Sequence, residues 1–458
     1  MPRPTALAAI ILTIFVPAAF AQTQATPPTS PLAIHVGDAD LLIGGFMDLT
    51  SITRSTNTGN GIGTSFGSIP FTTTAAGTPN PAGNLAETRF SAQNSRLTLQ
   101  ATSKVGSASL KGYLEADFLG NTSTNLNVTS NSDGLRLRLY WVQYTQSKFE
   151  FLAGQSWSFM TPGRNGLSPM PGDIFYSQDV DTNYQSGLTW GRTPGVRFIA
   201  HPNDKVAAGI ALENPQQYIG SAVVLPAAFP AAELDSGASA IGSSSAAPNQ
   251  FPDIIGKIAF DPKTGSTHQH IDAAFVVRGY KTFNPANSST ASETGTGESV
   301  NVVVEPVKNF KLVATNYFSK GGGRYIANEN IPDLVVNADQ SLSTVKSWSG
   351  IYGVEVQPKN TLLYGYYSVV RADALTGFDV NGTTRIGFGI PGSQSANQKV
   401  NELTLGVTQT LFRDPKIGGM QLMLQYSNVE RTPFSAPVNT PSTAKLNMVY
   451  VNVRYLLP

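Results

Sequence analysis

The residues of this chain best suited to chemistry are its arginines. In Leu135-Arg136-Leu137-Arg138-Leu139-Tyr140-Trp141 two guanidiniums alternate with leucines, and upstream Lys111, Tyr113, Glu115 and Asp117 alternate with Leu110, Gly112, Leu114 and Ala116. A guanidinium is a planar fork of donors that can hold two carboxylate oxygens at once. Alternation of period two sets such forks on one face of a β-strand and apolar side chains on the other. Arg96, Arg197, Lys257 and Arg278 occupy the polar phase of further segments, with Asp272 and Glu402 as partial counter-charges. The pattern suggests anion recognition along a wet surface rather than bond-making. A plainer reading is that these arginines only solvate that surface, or pair with loop acids to hold a loop down. On the same phase, Tyr113, Tyr140 and Tyr144 are expected either to line a solute path or to pack inside.

Other matches carry less. Gly63-Thr64-Ser65-Phe66-Gly67 has the G-x-S-x-G form, but a nucleophile elbow needs a strand-to-helix turn and a partnered histidine. Here the stretch lies in a Gly/Asn/Thr-rich segment that reads as a surface loop. His268-Gln269-His270 sets two imidazoles on one face of a strand end without an evident third ligand, so a solvated turn is the simpler reading. Asp179-Val180-Asp181-Thr182-Asn183 resembles the start of a calcium loop, yet Tyr184 stands where such a loop needs glycine. No cofactor is expected beyond a calcium ion in that loop.

Composition places these residues in a β-rich chain. Charged residues are 13% of the 458, against roughly 25% in ordinary globular proteins. The start, MPRPTALAAIILTIFVPAAFAQ, combines a basic residue, an apolar stretch and Ala19-Phe20-Ala21, and predicts a cleaved signal peptide over 1–21. Without Arg3, 30 basic residues face 30 acidic ones, so nucleic acid is not an expected partner. Cysteine is absent, which excludes disulfides, thiolate metal sites and a Cys nucleophile. Beyond the signal no run approaches 18 apolar residues, so a membrane could be crossed only by a closed barrel.

Residues 22–38 are Pro/Thr-rich and predict a periplasmic leader, with the barrel over 39–458. Period-two segments follow near 40–54, 89–104, 109–119, 135–146, 149–158, 194–201, 205–214, 252–261, 269–281, 299–306, 310–319, 347–357, 361–371, 399–412, 420–430 and 444–457. Short connections (SKVGS, QSK, HPND, DPKTGSTHQ, EPVKN, QPKN, RDPKIGG) alternate with long ones at 55–88, 120–134, 159–193, 215–251, 282–298, 320–346, 372–398 and 431–443. A sandwich has no reason to sort its loops this way. A transmembrane barrel of about sixteen antiparallel strands does, with short periplasmic turns and long outer loops. The last segment has Val449, Val451, Val453, Tyr455 and Leu457 outward and Asn452 and Arg454 inward, as closure requires. In the fourth long loop SAVVLPAAFPAA is unusually apolar, suited either to a neighbouring subunit or to the barrel's own rim.

The third long loop, about 159–193, begins AGQSWSFMTPGRNGLSPMPGDIFYS, too polar for a core and without helical periodicity. Folded inward, it would narrow a lumen that sixteen strands otherwise leave open. An arginine wall on strands two to six is then expected to face Arg164, Asp173, Asp179 and Asp181 of this loop. The stretches NSRLTLQATSKVGSASLKGYLEADFLG, LRLRLYWVQY, FLAGQSWSFMTP, RTPGVRF and FPDIIGKIAFDPKTGSTHQHIDAAFVVRGY resemble the Gram-negative trimeric porins, and among them the DcaP-like family. That resemblance spans most of 40–458. It implies a trimeric sixteen-stranded channel with the third loop at its constriction, passing small anions such as dicarboxylates. Two features depart from the family: residues 22–38 cannot form its N-terminal coiled coil, and the chain ends Tyr455-Leu456-Leu457-Pro458 instead of in the Phe or Trp read by the barrel-assembly machinery.

The sequence therefore predicts an all-β outer-membrane diffusion channel with no catalytic residue, partnered by outer-membrane lipid, small anions, the assembly machinery and two further copies of itself. The rival readings are a barrel hydrolase, whose histidine would come from His35, His201, His268 or His270, and a β-rich surface adhesin.

Overall fold

The computed structural model describes residues 31–59, 61–120, 130–170, 172–179, 184–219, 222–230, 233, 246–247 and 249–458. The predicted signal peptide, most of the leader and Asp181 lie outside the described residues.

The period-two segments form sixteen antiparallel strands. They are β1 (Ala39–Arg54), β2 (Glu87–Ser91 and, after a break, Arg96–Val105), β3 (Ala108–Asp117), β4 (Arg136–Gln146), β5 (Phe149–Trp157) and β6 (Arg192–Asn203). Then come β7 (Val206–Glu213), β8 (Asp253–Phe260), β9 (Thr267–Asn284), β10 (Ser289–Val307) and β11 (Phe310–Lys320). The last are β12 (Lys346–Val356), β13 (Thr361–Ala372), β14 (Asn397–Asp414), β15 (Gly418–Pro433) and β16 (Ala444–Leu456). Each pairs with the next, and β1 pairs with β16 from Phe46↔Leu456 to Arg54↔Met448, so the sheet has no open edge. Closure satisfies every ladder and removes the unpaired strand edge that hydrocarbon would not tolerate.

Alternation sorts the side chains. Leu97, Leu99, Leu114, Leu137, Val142, Ile210, Ile258, Val300, Leu405, Leu424 and Val451 are exposed on the outer face, while Asp48, Arg96, Glu115, Asp272, Glu402 and Asn452 are buried within. A water-soluble domain does not wear so continuous an apolar coat; a lipid-facing barrel must. The interior also holds a large apolar cluster, with Ile52, Ile199, Ile255, Val276, Val303 and Ile351 from the strands packed against Phe66, Phe159, Phe175 and Ile326 from loops. Loops therefore occupy part of the lumen.

Turn chemistry explains the short connections. Gly106, Ser147, Asn309 and Lys359 adopt positive φ (60°, 54°, 68° and 56°) at the short-turn end, where glycine and asparagine are the residues of least strain. The long loops are L1 (55–86), L2 (118–135), L3 (158–191), L4 (214–252), L6 (321–345), L7 (373–396) and L8 (434–443). The connection predicted long at 282–298 is a correction: β9 and β10 continue through Asn284↔Ser289, and only residues 285–288 turn. Their upper part is rich in Ser, Thr and Glu, so it pairs as a ladder without the apolar phase that reveals a strand in sequence.

Two further expectations resolve. Ala33–Val36, within the predicted leader, pairs with the start of β1 (Ala33↔Leu42 to Val36↔Ala39). In the apolar stretch of L4, Val223–Val224 pairs with Arg385–Phe388 of L7. Phe229 packs with Ile219, Tyr280, Leu334, Val336 and Leu342. That stretch thus covers the barrel's own rim. L1 is likewise no surface loop: Phe66, Ile69 and Phe71 are buried inside, and Arg54 donates to the carbonyls of Gly61, Ile62 and Gly63 at 2.7–2.9 Å. Ser65 of the G-x-S-x-G match only accepts from Ser68 (2.8 Å).

Candidate functional site

L3 leaves β5 and crosses the inner face of the later strands, held by one polar group after another. The carboxylate of Glu213 on β7 accepts from Ser158 Oγ (2.7 Å) and the Phe159 N–H (2.5 Å). Lys257 of β8 donates to the Thr161 carbonyl (2.6 Å) and lies 3.1 Å from Asp272 on β9. Asp272 also accepts from the Gly163 N–H (2.9 Å) and from Asn301 of β10 (3.0 Å), which in turn donates to the Gly163 carbonyl (2.7 Å). A fully buried carboxylate persists only with such partners, so Asp272 is a fastening for the loop.

The His268/His270 pair belongs to this fastening. His268 Nε2 donates to the Arg164 carbonyl (2.7 Å), and His270 is buried between Asp261 (2.8 Å) and Asp272 (2.9 Å). The solvated turn expected there is corrected: the inward phase of β9 carries His270 beneath L3. Further along, Arg164 forms a bidentate pair with Glu355 of β12 (2.5 and 2.8 Å) and donates to the Ile174 carbonyl. Asp179 accepts from Gln425 of β15 (2.8 Å). Burial, with Glu402 nearby, raises the Asp179 carboxyl above its ordinary value. Returning, the Ser186 N–H donates to Glu402 of β14 (2.7 Å) and its hydroxyl to Glu329 of L6 (2.5 Å). Burial pushes the Glu329 carboxyl up to about 8.

The loop therefore covers the wall from β7 to β15 and leaves β2 to β6 without such fastenings among the described contacts. Three predicted arginines meet two predicted acids on that wall. Arg138 lies 2.6 Å from Glu115 and 2.8 Å from Asp117, Arg136 grips Asp117 with two bonds (2.9 and 2.6 Å), and Arg96 is 3.5 Å from Glu115. Tyr113 donates to Glu115 (3.0 Å). Among the described residues these arginines pair across neighbouring strands, Arg164 and Asp179 are committed to β12 and β15, and Asp173 is exposed. Arg138 is wholly buried behind Trp157, its guanidinium 5.9 Å from the indole, whereas the Arg136 side chain keeps 32% exposure.

Tyr140 and Tyr144 are corrections. Glu115 pairs with Leu139 and Ala116 with Leu137, so Arg138 is an extra residue in β4. Such a bulge shifts the phase by one. Leu139 and Trp141 turn inward (0% and 5% exposed) and Tyr140 and Tyr144 turn outward (42% and 39%). Trp141 stacks on Tyr113 at 5.4 Å and with Leu139 and Leu152 makes an apolar patch on the inner wall.

Two cavities mark the remaining space. One of about 230 Å³ is lined by Trp157, Arg164, Asp173, Arg197 and Lys257. A wider one of about 1190 Å³ opens at the short-turn end beside Lys111, Gln143, Glu150 and His201 and is roofed by Asn165–Met170 of L3. Arg197 donates to Ser156 and to the Trp157 carbonyl (both 2.5 Å) and sits 4.9 Å over Phe159. Arg278 is walled in at the opposite end by Asp253 (3.0 Å) and Asp333 (2.7 Å). It faces inward as expected but ties L6 to β8 and does not meet the lumen water. The fastening residues Glu213, Asn301, Glu355 and Gln425 extend the predicted set, to which Asp272 already belonged; each follows from strand phase, but their loop partners do not.

A closed sixteen-stranded barrel with an inward third loop has the architecture of the outer-membrane porins. The solved outer membrane channel DcaP of Acinetobacter baumannii is similar, with a TM-score of 0.63 and 17% identity over 91% of this chain and 97% of that one. More loosely similar are the anion-selective porin from Comamonas acidovorans (TM-score 0.48, 12% identity, 91% and 99% covered) and Salmonella typhi OmpF (0.49, 11%, 93% and 99%). No protein-family model matches the sequence, nor does any curated protein.

Proposed function

We propose that this chain is an outer-membrane diffusion channel for small hydrophilic solutes, biased toward anions and carboxylate-bearing molecules, and not an enzyme. In this reading it is exported with a cleaved signal peptide, inserted by the barrel-assembly machinery and assembled as a homotrimer. The observation that carries the bias is the charge of the described wall from β2 to β6, where L3 makes no polar fastening among the described contacts. Five inward-facing cations, Arg96, Lys111, Arg136, Arg138 and Arg197, stand against Glu115, Asp117 and Glu150. Solute moves down its gradient between this wall and L3, and fixed cations replace part of an anion's hydration. Lys111 and Arg136, the two that keep exposure, are the groups proposed to meet solute. Arg96, Arg138, Arg197 and Lys257 shape the field from behind.

Among the described residues the hydrolase reading finds no poised nucleophile. His201 is engaged with Glu150 (2.8 Å), His270 with two aspartates, and Ser65 with Ser68. The test is single-channel conductance in a planar bilayer, with reversal potential under a KCl gradient, for the native chain and Lys111→Ala/Arg136→Ala. Anion selectivity that weakens in the double variant is expected. Cation selectivity, or selectivity indifferent to the variant, discards the bias; silence from folded, heat-modifiable protein discards the channel.

A further inference from the structure

The outer face carries one cluster of charge that the channel reading does not use. At the long-loop end, Lys320 of β11 is in direct register with Lys346 of β12. Beside them Trp348 of β12 is in register with Arg371 of β13, and Arg371 with Lys399 of β14. Lys320, Lys346 and Arg371 are exposed. None of the four cations has a carboxylate within ion-pairing distance among the described residues. Like charges directly opposite on a sheet repel, so a ladder that sets Lys320 against Lys346 is destabilised unless an anion lies between them.

The cluster borders a groove of about 560 Å³ lined by Phe275, Phe318, Lys320, Lys346, Trp348 and Arg371 together with Asp373 and exposed Glu298, which stands in register between Phe275 and Phe318. Three cations against two carboxylates leave it net positive, and Lys399 adds to the same sign. Its floor is aromatic: Phe318 and Trp348 stack at 6.2 Å, and Phe275 and Phe318 are about half exposed. Below lie outward Val300, Tyr352, Tyr367 and Leu403, part of the apolar coat. Positive charge thus sits at the upper border of the lipid-facing belt, with an aromatic step between the two. A soluble anion would have no use for that step, whereas an amphiphile would meet both surfaces at once.

We propose that this groove binds a phosphorylated, acylated lipid of the outer leaflet, its phosphate held by Lys320, Lys346 and Arg371 and its chains laid over the Phe318–Trp348 stack and the belt beneath. The assignment rests on the outer-membrane reading above, since it needs a membrane whose outer leaflet carries lipid phosphate. Bound phosphate removes the Lys320–Lys346 repulsion, and the lipid caps the rim of β11 to β14.

The test is native mass spectrometry of the full barrel in detergent, titrated with diphosphoryl lipid A, with its dephosphorylated form and with inorganic phosphate. Channel conductance is recorded on the same preparations. Lipid A should be retained, the dephosphorylated form should bind more weakly, and Lys320→Ala/Lys346→Ala/Arg371→Ala should lose roughly a hundredfold in affinity, at about fivefold for each cation removed near an anionic headgroup. The three side chains are exposed, so the variant should keep heat-modifiable mobility; Lys320→Glu alone serves as the second variant and should weaken retention in the same direction. Equal retention of phosphorylated and dephosphorylated lipid, or unchanged binding in both variants, overturns the proposal. So does competition by inorganic phosphate at the lipid's own concentration. Conductance without lipid selectivity would sink this site and leave the channel, while selective retention by a barrel that does not conduct would do the reverse.

Discussion

The two halves of the inner wall are built for different purposes. From β7 to β15 nearly every inward polar group is engaged by a loop: Glu213 by Ser158 and Phe159, Asp272 by Gly163, Glu355 by Arg164, Glu402 by Ser186 and Gln425 by Asp179. From β2 to β4 the charges engage one another, as in Arg136–Asp117 and Arg138–Glu115. Carboxylates on the first half serve as acceptors for backbone N–H groups and so fix the loop. On the second half they orient guanidiniums and leave a net positive face. Among the described residues the same residue types thus do structural work where L3 is fastened to them and electrostatic work where they pair with one another.

The largest effect should come from removing the acid on which most fastenings converge. Asp272→Ala leaves Lys257 and the Gly163 N–H without their acceptor, and breaking a buried charged network costs about 3–5 kcal/mol. L3 should detach, so single-channel conductance should rise and the temperature of the heat-modifiable transition fall. Arg136→Ala, about one-third exposed on the other wall, should move that temperature less, since Asp117 keeps Arg138 at 2.8 Å as its partner. Equal effects of the two substitutions would dissolve the distinction between the walls.

Next is Arg164→Ala, which strands the buried carboxylate of Glu355 beside the Tyr366 hydroxyl (2.8 Å). A lost charged hydrogen bond of this kind costs about 1.5–3 kcal/mol. Faster proteolysis within L3 would register the loosening; a native cleavage rate would show that the remaining fastenings suffice.

The Ser186 clasp adds a dependence on pH. Glu329 has an ordinary value of 4.5 and is pushed up to about 8 by burial in the folded protein. Between those values the folded form keeps a proton that the unfolded chain has released. The contribution of this contact is therefore fully present below about pH 4.5 and lost as pH rises through about 8. Amide exchange around Ser186 should quicken from pH 6 to pH 9 beyond the intrinsic rate, and Glu329→Gln should flatten that dependence. A variant as pH-sensitive as the native chain would assign the effect to other groups.

Much of this architecture was legible in sequence because its signals are local. Period-two alternation located all sixteen strands, and Pro, Gly and Asn marked the short turns. The closing stripe of Val449, Val451 and Val453 faces outward as read. What escaped is set by contacts distant in the chain. L1 and L6 fill the lumen with Phe66, Ile69, Tyr325 and Ile326, yet in sequence these sit among glycines and polar residues without periodicity. The acids that hold L3 were readable as inward, but their partners lie 54 to 216 residues away. The upper β9–β10 ladder escaped because both its faces are polar.

The bulge at Arg138 is the smallest of these misses, and it yields the smallest predicted effect. Leu135 to Tyr144 satisfies either phase, since tyrosine suits a lumen and a membrane border equally well and tryptophan can face lipid or pack inside. The backbone decides: Gly154 of β5, opposite Trp141, has φ 130° and leaves no room for a Cβ, which would come within 2.4 Å of the Tyr140 carbonyl. That close approach accompanies the shift that turns Tyr140 out and Trp141 in. Tyr140→Phe should therefore leave conductance and selectivity unchanged and stability within about 0.5 kcal/mol, as for an exposed site. Trp141→Ala should alter conductance by removing the stack on Tyr113 and the patch against which Met170 of L3 packs. A selectivity change in Tyr140→Phe with none in Trp141→Ala would restore the unshifted phase, and with it a path lined by tyrosine.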